Sequence, residues 1–91
     1  MRLDKFLKVS RIIKRRTVAS QAASMGKVTV NGRPAKPATA VNVGDIIEIA
    51  YGRYAETYEV LRVAETVGKA EAADLFRLID RREREDAEDD E

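Results

Sequence analysis

The apolar periodicity of this chain changes at Gly26, and that change limits its fold more than any other feature. Upstream, apolar residues recur at helical spacing; downstream, Lys27-Val28-Thr29-Val30 alternates like a half-buried strand and runs into Asn31-Gly32, a strong hairpin signal. A chain of 91 residues has room for one small domain and a modest core. Its helices and strands must therefore share that core, which makes the expected class α+β.

The first helix is expected from Leu3, Phe6, Leu7 and Ile13 on one face, with Arg2, Lys5, Lys8 and Arg11 on the others. Asp4 in its first turn suits the helix dipole, or holds a neighbouring arginine. A second helix is expected from about Thr17 to Met25. Thr17 supplies a cap, Val18, Ala22 and Met25 the apolar stripe, and Gly26 the left-handed stop. Leu3, Phe6, Leu7, Val18, Ala22 and Met25 are the expected core positions of this half, and Lys14-Arg15-Arg16 links the two helices.

Beyond the hairpin turn, two prolines bias Arg33 to Ala38 toward an extended surface connection. Gly44-Asp45 marks a turn, Ile46 to Tyr51 a strand, and Gly52-Arg53 a reversal. Tyr54 to Val63 pairs back with an imperfect alternation that suggests a bulge. Ala72, Leu75, Phe76 and Ile79 fall at i, i+3, i+4 and i+7, which predicts a C-terminal helix over Lys69 to Ile79. Residues 81–91 contain seven acids and three arginines and read as a charged tail, disordered at its end.

Charge divides the chain in the same way. Residues 1–36 contain ten Lys or Arg and one acid, Asp4, a net of +9; the remainder contains seven basic and fifteen acidic residues, a net of −8. A cationic segment this one-sided recruits polyanions, RNA or DNA first among them. With no Cys and no His, thiolate and imidazole catalysis and the usual zinc sets are excluded. No phosphate-binding or nucleophile motif frames the remaining carboxylates, lysines and hydroxyls, so no enzyme, cofactor or metal site is expected. The charged N-terminal stretch offers no signal peptide or membrane span, which suggests a cytoplasmic protein.

Two short helices beside a hairpin would present a shallow surface on which cations converge. The candidate RNA-binding residues are Arg2, Lys5, Lys8, Arg11, Lys14, Arg15, Arg16, Lys27 and Arg33, with Thr17, Gln21 and Asn31 as neutral hydrogen-bonding partners. Arginine weighs more heavily than lysine because it can hold a phosphate through two parallel donors. Tyr51, Tyr54 and Tyr58 lie outside the basic half and are read as packing residues.

Arg2-Leu3-Asp4-Lys5-Phe6-Leu7, Ile13-Lys14-Arg15-Arg16-Thr17 with Ala19, Gly26 to Gly32, and Val43 to Ile47 together resemble the S-four RNA-binding domain. The likeness spans about residues 1 to 51. It implies an alpha-L fold of two short helices on a small antiparallel sheet, here with a C-terminal helix and an acidic tail. Residues 1–65 would form the RNA-binding domain with its strand extension, residues 66–80 the helix and residues 81–91 the tail. Among stand-alone versions the opening residues and the length look most like the RqcP family.

That resemblance implies a factor of bacterial ribosome-associated quality control. Its partners would be the large ribosomal subunit, 23S rRNA, peptidyl-tRNA and an RqcH-type tailing factor, with the protein itself a ribosome-associated monomer. Arg2 and Arg16 would make the essential contacts, with Lys5, Arg11, Arg15, Asp4 and Thr17 also matching the family pattern. Two other readings compete: a recycling factor resembling the fifteen-kilodalton heat-shock protein, and a DNA-binding interaction protein.

Overall fold

A computed structural model describes residues 1–83. The elements are α1 (Leu3–Val9), α2 (Arg16–Ser24), β1 (Val28–Val30), β2 (Arg33–Pro34), β3 (Ile46–Tyr51), β4 (Tyr54–Val60), α3 (Lys69–Ala72) and β5 (Phe76–Glu83), with one 3-10 turn at Ala73–Leu75. The five strands form one antiparallel sheet in the order β2-β1-β3-β4-β5. Leu3, Phe6 and Leu7 of α1 are fully buried with Val28, Ile47, Val60 and Leu75, so the core lies between the helical layer and one face of the sheet. Among the described residues no helix is long and apolar enough to cross a membrane.

The stop at Gly26 forms as the sequence predicts. Gly26 has φ 77° and its N–H donates to the Ala23 carbonyl at 3.1 Å, while Lys27 N–H donates to Ala22 at 3.0 Å. These are the two bonds of a Schellman cap. The α1 terminus is less conventional: it ends at Val9, and Arg11, at φ 63°, takes the left-handed position usually left to glycine. Ile13 therefore packs on the core from the linker and not from the helix.

Three sequence expectations shift in register. On α2 the buried stripe is Ala19 and Ala23, whereas Val18 and Met25 are 46% and 69% exposed. Alanine methyls allow α2 to lie close to α1, and a one-residue rotation of the helix carries the larger side chains to its solvent side. The helix also begins before Thr17, at Arg16, with Arg15 as an N-cap that forms no side-chain capping bond. Arg33-Pro34 is an edge strand, where a proline costs the sheet no interior hydrogen bond.

The C-terminal helix expected over residues 66–80 is a single turn, α3, followed by the 3-10 turn. Phe76 onward, including Arg81 to Glu83 of the expected tail, is strand β5. Ala72 and Leu75 are buried as the helical pattern requires, but Phe76-Arg77-Leu78-Ile79 fits either period. The open edge of β4 decides between them, because pairing with it satisfies backbone donors and acceptors that a helix would leave facing water. The irregularity suspected in β4 appears as a shift in the β4–β5 register, with Tyr58 opposite Leu78 and Thr57 opposite Asp80. The extra residue is thus Ile79, on β5. Residues 84–91, the remainder of the expected tail, lie outside the described residues.

Candidate nucleic-acid interface

The helical layer is organised around one buried carboxylate. Asp4 is 4% exposed and holds Arg2 through two hydrogen bonds, Nε to Oδ1 at 3.1 Å and Nη2 to Oδ2 at 3.2 Å. The Arg16 guanidinium reaches the same Oδ1 at 3.4 Å from the first turn of α2. The Arg2 hydrogen bonds hold the Asp4 carboxyl below the usual carboxylate range; burial opposes this and Arg16 reinforces it. Two arginines distant in sequence are thereby fixed side by side, each still about half exposed. Of the two structural roles open to Asp4, the structure shows it holding arginines.

The other cations divide into two groups. Lys8, Arg11 and Lys14 line one pocket with Val9 and the 65–67 segment, and Arg15 is exposed at the start of α2. Among the described residues none of these four is paired with a carboxylate. Thr17 and Gln21, one turn apart and both exposed, flank this region on α2. The left-handed Arg11 costs about 1 kcal/mol relative to glycine, so its charged side chain stands there against backbone preference. Lys5 is paired with Glu65, whose carboxyl is lowered by that bond. The sequence offered no signal for that partner, sixty residues away.

Lys27, Asn31 and Arg33 do not join the group. Lys27 lines a pocket with Thr29, Glu48 and Arg82 on the sheet face opposite the helices. Both amide atoms of Asn31 are used within the fold: Nδ2 donates to Asp45 Oδ1 at 3.1 Å, and Oδ1 accepts from Ile46 N at 2.9 Å. Arg33 projects from the edge strand β2. The surface best arranged for phosphates is therefore the helical layer and its linker: Arg2, Arg16, Lys8, Arg11, Lys14 and Arg15.

On the β3–β5 side four arginines have carboxylate partners. Arg77 bonds Glu59 at 2.7 Å, Arg82 bonds Glu48 at 2.6 Å, Arg81 lies 3.3 Å from Glu56, and Arg62 lies 3.9 Å from Glu71. The three tyrosines, read as packing residues, meet around one cleft: Tyr58 is buried and its hydroxyl donates to Glu56, while Tyr54 is 41% exposed. Burial is the largest cause raising the Tyr58 and Tyr51 phenols, so both stay protonated at neutral pH.

Known proteins share the sequence and the fold of this chain. The S4 domain matches residues 1–47, the segment holding both helices, the linker and the first hairpin. The "RQC P-site tRNA stabilizing factor" of Halalkalibacterium halodurans is 51% identical over 86% of this chain and 89% of its own length. The protein of the same name from Bacillus subtilis is 43% identical over 87% and 92%. A solved structure described as the trimeric Heat Shock Protein 15 of Vibrio cholerae superposes with a TM-score of 0.80 at 34% identity, covering 87% of this chain and 81% of that one. The chain belongs to the S4-domain family and, within it, to the RQC P-site tRNA stabilizing factors.

Proposed function

We propose that this protein is a non-catalytic RNA-binding factor of ribosome-associated quality control that acts in the bacterial cytoplasm on stalled large ribosomal subunits. It contacts 23S rRNA and peptidyl-tRNA, positions that tRNA in the P site, and supports RqcH-dependent alanine tailing of the nascent chain. The observation that carries the reading is the Asp4-organised Arg2–Arg16 pair beside linker cations that have no carboxylate partner among the described residues. It supplies two fixed forks for phosphate within a chain whose relatives are named for stabilising a P-site tRNA.

Such a surface reads shape and phosphate spacing more than base identity. The protein acts as a monomer and engages several phosphates at once. The test is to purify stalled large subunits from cells with and without the protein and to sequence the nascent-chain ends. Alanine tails that require the protein support the proposal. Co-purification with subunits but tails independent of the protein would favour the second reading, a recycling factor for abandoned large subunits, which the likeness to Heat Shock Protein 15 supports. Recovery mainly on chromosomal DNA would overturn both.

A further inference from the structure

Where the helical layer stops covering the sheet, a cleft of about 320 Å³ opens on its inner face, lined by Ile12, Tyr51, Tyr54, Glu56, Tyr58 and Arg81. Its walls follow from strand register. Tyr51 is opposite Tyr54, Ile49 opposite Glu56 and Ile47 opposite Tyr58, and cross-strand partners share a face. The cleft residues therefore continue the row that begins with buried Ile47 and Ile49.

The bulge at Ile79 completes the site. Because of that extra residue, Arg81 is opposite Glu56. An unbroken ladder from the Tyr58–Leu78 pair would have placed Asp80 there, setting two carboxylates side by side. Instead Arg81 Nε lies 3.3 Å from Glu56 Oε2, and the guanidinium sits 4.5 Å above the Tyr54 ring.

We infer that this cleft docks one unpaired nucleobase, guanine, presented by the RNA that the neighbouring linker binds. The inference rests on the RNA-binding function proposed above. A volume near the lower end of small-molecule sites suits a single base, and tyrosine faces with a stacked guanidinium are the surfaces on which unpaired bases lie. Hydrogen bonding selects the base. Glu56 Oε1 accepts from the Tyr58 hydroxyl and Oε2 faces Arg81, which leaves each oxygen a further acceptor site. Two adjacent acceptors match two adjacent N–H donors. Guanine alone among the four RNA bases presents such an edge, through N1 and N2, whereas adenine, cytosine and uracil each place an acceptor beside the donor.

Location supports the same ligand. Ile12 lines the cleft, and its neighbours Arg11 and Lys14 line the basic pocket on the other side of the linker. A strand crossing the linker keeps its phosphates on Arg11 and Lys14 while one base turns over Ile12. The Glu56 carboxylate disfavours a phosphate in the cleft itself.

The chain has three tyrosines and no tryptophan, and all three line the cleft, so tyrosine emission of the intact protein reports on this site alone. The probes are hexauridine and the same RNA strand with one central guanosine. The guanosine strand is expected to quench tyrosine emission and to bind about tenfold more tightly, the effect of one base stacked and hydrogen-bonded. Glu56→Gln should abolish that preference while retaining the salt-sensitive binding common to both strands, and Tyr54→Ala, at an exposed ring, should reduce the quenching. Equal binding with unchanged emission, or a preference that survives Glu56→Gln in a folded variant, would overturn the inference and leave the helical phosphate surface intact. Failure of both strands to bind would also overturn it; loss of co-sedimentation with stalled large subunits as well would show that the proposed function had failed with it.

Discussion

The two sides of this molecule treat positive charge differently. On the β3–β5 side, Arg62, Arg77, Arg81 and Arg82 each approach a carboxylate, and their charge is neutralised within the fold. In the helical layer one carboxylate, Asp4, orients Arg2 and Arg16 without cancelling them, and Lys8, Arg11, Lys14 and Arg15 have no acidic partner among the described residues. Exposed ion pairs of the first kind contribute little to stability, about 0–1 kcal/mol each. The lesson is that the number of arginines on a surface says less about polyanion binding than whether the fold has already supplied their counter-charges.

The largest effect should come from removing the group that orients the helical layer. Asp4→Asn replaces a buried acceptor of two arginines and should destabilise the fold by about 1–2 kcal/mol at neutral pH, measured by urea unfolding. Because the folded-state pKa of Asp4 is depressed, its contribution is complete above the unfolded carboxylate pKa of about 3.9 and is lost as pH falls through the lower folded value. The stability difference between wild type and Asp4→Asn should therefore narrow only below about pH 4. A difference unchanged down to pH 2 would show that the ion pairs do not support the fold.

Next in size, Arg16→Ala should reduce large-subunit co-sedimentation about tenfold, the value of one charge-assisted phosphate contact, with little loss of stability. Unchanged co-sedimentation would remove Arg16 from the interface. The smallest effect sharpens the contrast from another direction. Arg11→Gly should relieve the left-handed backbone and raise stability by about 1 kcal/mol while weakening RNA binding. A variant that gains stability and keeps full binding would remove Arg11 from the interface.

Much of the N-terminal half was legible because its signals are local. Gly26 and Asn31-Gly32 fix their turns through their own backbone preferences, and Leu3, Phe6 and Leu7 are buried as their spacing requires. What the sequence did not disclose depends on partners distant in the chain. Val18 and Met25 have helical spacing, but which stripe of α2 faces inward is set by how closely it packs on α1. Phe76 to Ile79 satisfies a helical pattern and a strand pattern equally, and only the β4 edge decides. The same holds for the candidate surfaces: the basic linker could be read from composition, whereas the coupling of Asp4 to Arg16, the use of Asn31 inside the fold and the Arg81 cleft all need the folded register.

The most direct test of the contrast removes equal charge from each side. Lys8→Ala/Arg11→Ala/Lys14→Ala and Arg62→Ala/Arg77→Ala/Arg82→Ala change net charge identically, so any difference between them in large-subunit affinity reports position and not total charge. Wild type engaging about six to eight phosphates should lose about 10³- to 10⁴-fold in affinity between roughly 50 and 200 mM salt. The linker triple variant should flatten the slope of log affinity against log salt by about 2.7, and the sheet triple variant should leave it at the wild-type value. Equal flattening in the two variants would contradict the account.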